Sequence, residues 1–147
     1  MSEKTVLVPV DDGPLSNDAL EHALDRNPDA EIVAFHAVDP TEASRFIAPG
    51  AGVPSEAYWS EIAEEAENRA EEILADAREL AESRGRNIRT ETGHGQPVRS
   101  VVEHAESLDA DEVVIGSHGR EGLSRVLLGS VAEGVVRRAP CPVTVVR

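Results

Sequence analysis

Along this chain, runs of apolar residues alternate with segments whose apolar positions recur every three or four residues. Thr5 to Val10 reads TVLVPV, a nearly unbroken apolar run. That is the pattern of a strand covered on both faces, and so of a parallel sheet. Pro9 falls near its end, where a lost donor matters least. After the turn Asp11, Asp12, Gly13, Pro14 suits a first helical position. Leu15, Ala19, Leu20, Ala23 and Leu24 then follow at helical spacing until Asn27 and Pro28 end the segment. Glu31 to Val38 (EIVAFHAV) predicts a second strand, closed by Asp39 and Pro40. Between Thr41 and Pro54 prolines and glycines break any periodicity, which predicts a loop longer than most connections, serving as a lid or as slack.

Ser55 to Arg84 predicts the longest helix, with Tyr58, Ile62, Ala66, Ala70, Ile73, Ala77 and Leu80 in one apolar stripe. The glutamates on its other faces read as solvated, and Gly85 is a helix-stop residue. Asn87 to Thr92 (NIRTET) is a weaker strand, too polar for the middle of a sheet and so predicted at an edge, with Gly93, His94 and Gly95 as the turn after it. Pro97 opens a helix with Val98, Val101, Val102 and Ala105 on its inner face. Asp111 to Gly116 predicts a fourth strand. A loop with glycines at 116, 119, 122 and 129 follows, then a helix from Ser130 and a last strand from Pro142 to Arg147. Five strands alternating with helices predict one α/β domain over residues 1–147, a five-stranded parallel, doubly wound sheet with right-handed crossovers.

The glycine-rich turn between the fourth strand and the helix at Ser130 carries the candidate chemistry. Such a turn leaves backbone N–H groups unpaired beside the positive end of the helix dipole, an arrangement that suits a phosphate. In open α/β sheets ligands bind outside the C-terminal ends of strands where the winding reverses, which singles out the ends of strands one and four. Strand one delivers Asp11 and Asp12, and a carboxylate there suits a ribose, an adenine amine or Mg²⁺. Asp12 reads equally well as the cap of the helix starting at Pro14. Ser130 and Glu133 form a capping box that explains the serine without any ligand, while Gly129 before it leaves room for close approach of a phosphate. His118 reads first as a solvated loop histidine and second as a phosphate contact or acid. His22, His36, His94 and His104 show no metal-ligand spacing.

Charge sharpens the picture: 28 acidic residues against 14 basic ones give −14, and Lys4 is the one lysine. Such a surface repels nucleic acid and anionic membranes. It also repels itself unless salt shrinks the Debye length, so a salt-loving source is expected. Within Gly116 to Arg138, however, four arginines face two glutamates, a local balance of +2. Arg120 and Arg125 are placed to meet phosphates, whereas Arg137 and Arg138 suit a helix C-terminus. No membrane span or signal peptide is apparent, and the lone Cys141, between two prolines, reads as packed rather than reactive; a cytoplasmic setting follows. There is no P-loop, Rossmann fingerprint or G-x-S-x-G elbow. A response-regulator receiver would need an aspartate where Gly93 stands and a lysine ending strand five. The pyrophosphatase-like adenylating enzymes would need S-G-G-x-D-S where strand one ends VDDGPLS.

Gly116-Ser117-His118-Gly119, nine residues, then Gly129-Ser130-Val131 resembles the G-x2-G-x9-G-[ST] signature of the nucleotide-binding universal stress proteins. VLVPVDDG near the start, HAVD ending the second strand and APCPVTVVR at the end are similar to that family's segments, so the likeness covers the whole chain. The resemblance implies a Rossmann-like, adenine nucleotide α-hydrolase-like sheet of order 3-2-1-4-5 with bound ATP, or AMP or ADP, and Mg²⁺ held by phosphates and Asp11. It implies Val10, Asp11 and Val38 around adenine and ribose, and Ile115 and Gly116 beneath the ribose. Gly119, Arg120, Gly129, Ser130 and Val131 would surround the phosphates. It further implies a homodimer through Val143 to Val146. With no positioned general base and no Walker lysine, the expectation is a nucleotide-binding stress sensor or regulator with at most slow hydrolysis, not an enzyme. The alternative is a nucleotide-free dimeric scaffold whose glycines serve only turns.

Overall fold

The structure, a computed structural model, describes residues 3–39, 50, 52–118 and 128–147. Nine elements follow one another in the described residues: β1 (Thr5–Pro9), α1 (Pro14–Arg26), β2 (Glu31–Val38), α2 (Glu56–Ser83), β3 (Arg89–His94), α3 (Pro97–Ser107), β4 (Glu112–Gly116), α4 (Ser130–Arg138) and β5 (Val143–Val146). All strand pairs are parallel and the order is β3-β2-β1-β4-β5. The sheet thus winds one way from β1 through β2 to β3 and the other way from β4 to β5, so the switch point lies between β1 and β4.

Alternation along the strands divides the core in two. Val6, Val8, Ile32 and Ala34 face α1 and α2, where Leu20, Ala23, Leu24, Ile73, Leu74 and Ala77 cover them. Leu7, Val33, Phe35, Val113 and Ile115 face the other way, against Val101 and Ala105 of α3 and Ala132 and Val135 of α4. Both faces being covered explains why the central strands read as continuous apolar runs. Helix α3 approaches α4 closely enough that a Cβ at Gly134 would lie 2.7 Å from a Val98 methyl.

Helix α2 is capped by the Ser55 hydroxyl, which accepts from the Tyr58 N–H at 3.2 Å. At its far end Gly85 adopts φ +73°. Its N–H donates to the Glu82 carbonyl while that of Arg86 donates to Ala81, the bond pair of a Schellman turn. The predicted apolar stripe packs only over its second half. Ala70, Ile73 and Ala77 are buried, whereas Tyr58 is 39% exposed and its neighbour Trp59 37%. Length is the reason: 28 residues of helix span roughly 42 Å, and a strand of eight residues such as β2 spans about 27 Å. The first turns of α2 therefore overhang the sheet. Strand β3 also departs from expectation, running to His94 rather than Thr92. Gly93 pairs with Ala37 and fits the ladder because Phe35 fills the place of its side chain: a Cβ there would sit 2.8 Å from the ring.

At the N-terminal end of the sheet Lys4 donates to Asn27 Oδ1 at 2.8 Å and to Glu112 Oε1 at 3.1 Å, and the Thr144 hydroxyl donates to Glu112 Oε2 at 2.6 Å. Burial alone would raise the Glu112 carboxyl, but the Thr144 hydroxyl, the Lys4 ammonium and nearby His22 outweigh it and hold it below its ordinary value. A depressed carboxylate contributes stability that is complete above the unfolded value of about 4.3 and is lost as pH falls through the folded one. Glu112→Gln is therefore expected to lower the melting temperature near neutral pH, with the gap to the parent closing as pH drops toward 3. A gap that stayed constant across that range would show that the carboxylate charge is not what stabilises this end of the sheet.

Candidate functional site

β1 and β4 are parallel neighbours, so their C-terminal ends lie side by side at the switch point, where a doubly wound sheet has its crevice. Three stretches of chain line it: the loop after β1, the residues following β4, and the start of α4. The β1 loop is held by its own polar groups. Asp11 Oδ1 accepts from the Gly13 N–H at 2.7 Å and from the Ser16 hydroxyl at 2.8 Å, while the Asp11 N–H donates back to Ser16 Oγ at 2.8 Å. The Val10 N–H donates to the Phe35 carbonyl, and its own carbonyl accepts from His36 Nδ1 at 2.7 Å, which requires a hydrogen on Nδ1. Gly13, not Asp12, is the N-cap of α1. Ser16 and His36 are the residues that residue-type reasoning passed over. The Asp-x-x-x-x-Ser spacing of the turn was the available signal for Ser16.

Strand β4 ends against α1. A Cβ at Gly116 would lie 2.8 Å from Leu15 Cβ and 3.2 Å from the Leu15 carbonyl oxygen, so glycine here lets the first turn of α1 touch the strand end. The chain then turns through Ser117, whose N–H donates to the Val146 carbonyl of β5 at 2.8 Å and whose carbonyl accepts from the Gly129 N–H at 2.7 Å. That second bond joins the two ends of the glycine-rich loop. It also explains Gly129 differently from the sequence reading. A Cβ at 129 would point at the Ser117 oxygen, 2.7 Å away, and at His118 Cα, 3.3 Å away, rather than at open space kept for a ligand.

Gly129 is the N-cap of α4, and no side chain supplies a capping bond. The expected capping box is therefore not formed. Ser130 stands one position inside the helix with its side chain exposed, and the Glu133 N–H goes to the Gly129 carbonyl at 2.9 Å. Glu133 instead pairs with Arg137 at 2.9 Å. Among the described residues nothing accepts from the N–H groups of Ser130, Val131 and Ala132. At the positive end of a helix dipole, three donors thus have no acceptor among the described residues. His118 also departs from its expected solvated setting. It is 6% exposed, not solvated, because the loop closure folds it in against Gly129.

Of the predicted ligand residues, the fold brings Val10, Asp11, Ile115, Gly116, Gly129, Ser130 and Val131 to the switch point. Val38 ends β2 on the far side of β1, its carbonyl taken by the Gly95 N–H at 2.9 Å. Gly119, Arg120 and Arg125 lie outside the described residues, as does most of the predicted 41–54 loop. No group of three or more His, Cys, Asp or Glu among the described residues is arranged to hold a metal ion. No helix of the described residues is long and apolar enough to cross a membrane. Cys141 is partly buried in the α3/α4 face of the core, and burial first, then Asp111 and Glu112, push its thiol up, away from the reactive thiolate.

Comparison with known proteins adds a second line. The profile of the universal stress protein family matches residues 3–147. A universal stress protein of Methanocaldococcus jannaschii is 38% identical over 146 residues, which cover 98% of this chain and 82% of that one. The solved universal stress protein UspA from Lactobacillus plantarum is 24% identical, with each chain covered completely at a TM-score of 0.79. A universal stress protein solved in complex with cAMP is 26% identical, with 100% of this chain and 99% of that one covered at a TM-score of 0.67. The sheet order agrees with these neighbours.

Proposed function

Because the chain belongs to the universal stress protein family, we propose that the β1/β4 crevice binds an adenine nucleotide, ATP or AMP, and that its occupancy is the signal of a cytoplasmic stress-response regulator. The observation that carries this reading is the start of α4, where three N–H groups have no acceptor among the described residues and the N-cap is a glycine. Phosphate oxygens, which only accept, are the chemistry such donors match. Support comes from the cAMP complex of a family member. In this reading the base lies near Val10, Ile115 and Val38, and Asp11 meets the ribose or the exocyclic amine with the oxygen its turn does not use. Gly119 and Arg120 join Gly129, Ser130 and Val131 around the phosphates. Magnesium would enter with those phosphates, with Asp11 as the carboxylate that helps to hold it.

Hydrolysis in this proposal is slow. The one lysine, Lys4, is bound to Asn27 and Glu112 at the opposite end of the sheet, too far away to neutralise charge developing on a phosphate. The edge strand β5, with all four residues half-buried, would pair with a second copy to make a homodimer. The acidic surface would suit high salt. Calorimetry with ATP, AMP and adenosine tests the central claim: one nucleotide per chain is expected, with ATP turnover below about 1 s⁻¹. No heat with millimolar ATP would end the nucleotide reading, and turnover at or above that rate would make the protein an enzyme.

A further inference from the structure

Beside the backbone donors of α4, the described residues hold a buried side chain with no evident structural role, His118. His118 Nδ1 lies 3.0 Å from Ser117 Oγ, while Nε2 is fully covered and has no hydrogen-bond partner among the described residues. A buried polar atom left without a partner is costly, which asks for an explanation in a missing partner. The ring's position supplies one. The Cδ2 edge of the ring, bonded to Nε2, stands 3.7 Å from where a Cβ of Gly129 would be, which puts that edge of the ring against the N-cap of α4.

We propose that His118 is a side-chain ligand of the nucleotide phosphates, its Nε2–H donating to a phosphate oxygen held at the start of α4. This rests on the nucleotide reading. The tautomer follows from the ligand: a phosphate offers acceptors only, so Ser117 donates its hydroxyl hydrogen to Nδ1, and Nε2 keeps the hydrogen it gives to the phosphate. Ser117 is then a positioning residue that fixes the tautomer and the ring. The contact is shielded from water, and it discriminates between phosphorylated adenylates and adenosine, which reaches the base-binding end of the crevice but brings no acceptor to His118.

Two amide substitutions separate the ring's nitrogens, because asparagine places its amide near the Nδ1 position and glutamine near Nε2. His118→Asn keeps a partner for Ser117 and loses the far donor, and is expected to weaken ATP binding about tenfold or more while leaving adenosine binding unchanged. His118→Gln restores the far donor and is expected to recover most of the loss. In the parent protein the ¹⁵N resonance of His118 Nε2 is expected to shift on addition of ATP and not of adenosine. Unchanged ATP affinity in His118→Asn with an unmoved Nε2 resonance would overturn the role of His118 and leave the nucleotide reading standing. An Nε2 shift with adenosine as large as with ATP would also overturn it. A parent protein that takes up no ATP would sink both.

Discussion

Replacing Gly129 with alanine is expected to lower the melting temperature by roughly 5–10 °C and to abolish nucleotide binding. The added Cβ would fall 2.7 Å from the Ser117 carbonyl oxygen and 3.3 Å from His118 Cα, both backbone atoms that no rotamer change can move aside. The chain must either open the Gly129 N–H to Ser117 O bond, now 2.7 Å long, or shift the start of α4. Overpacking of this kind costs about 1–3 kcal/mol and the lost bond about 1 kcal/mol. In a domain of this size each kcal/mol lowers the midpoint by roughly 2–4 °C. Thermal unfolding followed by calorimetric titration checks both halves. A Gly129→Ala protein with unchanged melting temperature would mean that residues 117 and 129 do not meet as described. Loss of binding in this variant does not by itself argue for a phosphate contact, since the base of the loop is displaced whether or not a ligand ever sits there. The glycine of the signature is required first by the fold.

That distinction marks how far the residues alone could be read. The five strands, their parallel pairing and the switch point between β1 and β4 were legible because buried parallel strands leave unbroken apolar runs and the helices between them are bounded by Pro14, Gly85 and Pro97. Gly116 and Gly129 likewise sit where their spacing put them, after β4 and before α4. What failed was everything set by tertiary closure. His118 sits in a polar, glycine-rich stretch and reads as solvated until the Ser117–Gly129 bond folds it inward. Ser130 and Glu133 satisfy the spacing of a capping box, but Gly129 occupies the cap and Arg137 competes for Glu133. Tyr58 keeps the period of its helix and loses its burial because the sheet beneath is shorter than the helix above. Gly93 looks like a turn residue and is a strand residue, a place made by the Phe35 ring two strand positions away on the neighbouring β2. In each case the local pattern was right about chemistry and silent about which neighbour the fold would supply.

Ser130→Glu is the variant expected to separate binding from folding, with ATP affinity falling about 100-fold and stability held or slightly raised. Ser130 is exposed and occupies the first position of α4, where its hydroxyl caps nothing, so little is lost on removing it. A carboxylate in a first turn interacts favourably with the helix dipole, by about 0.3–1 kcal/mol. The same charge stands where the incoming phosphate needs the N–H groups of Ser130, Val131 and Ala132. Two like charges about 5 Å apart at an effective dielectric constant of about 20 repel by roughly 3 kcal/mol, which is about a factor of 100 in Kd. Adenosine, lacking the phosphate, should bind the variant as it binds the parent, and Ser130→Ala should weaken ATP by no more than about tenfold, the loss of one hydroxyl donor. These contrasts depend on where the charge sits and not on whether the loop is intact. A Ser130→Glu protein that bound ATP as tightly as the parent would move the phosphates away from α4, and with them the whole assignment of the crevice.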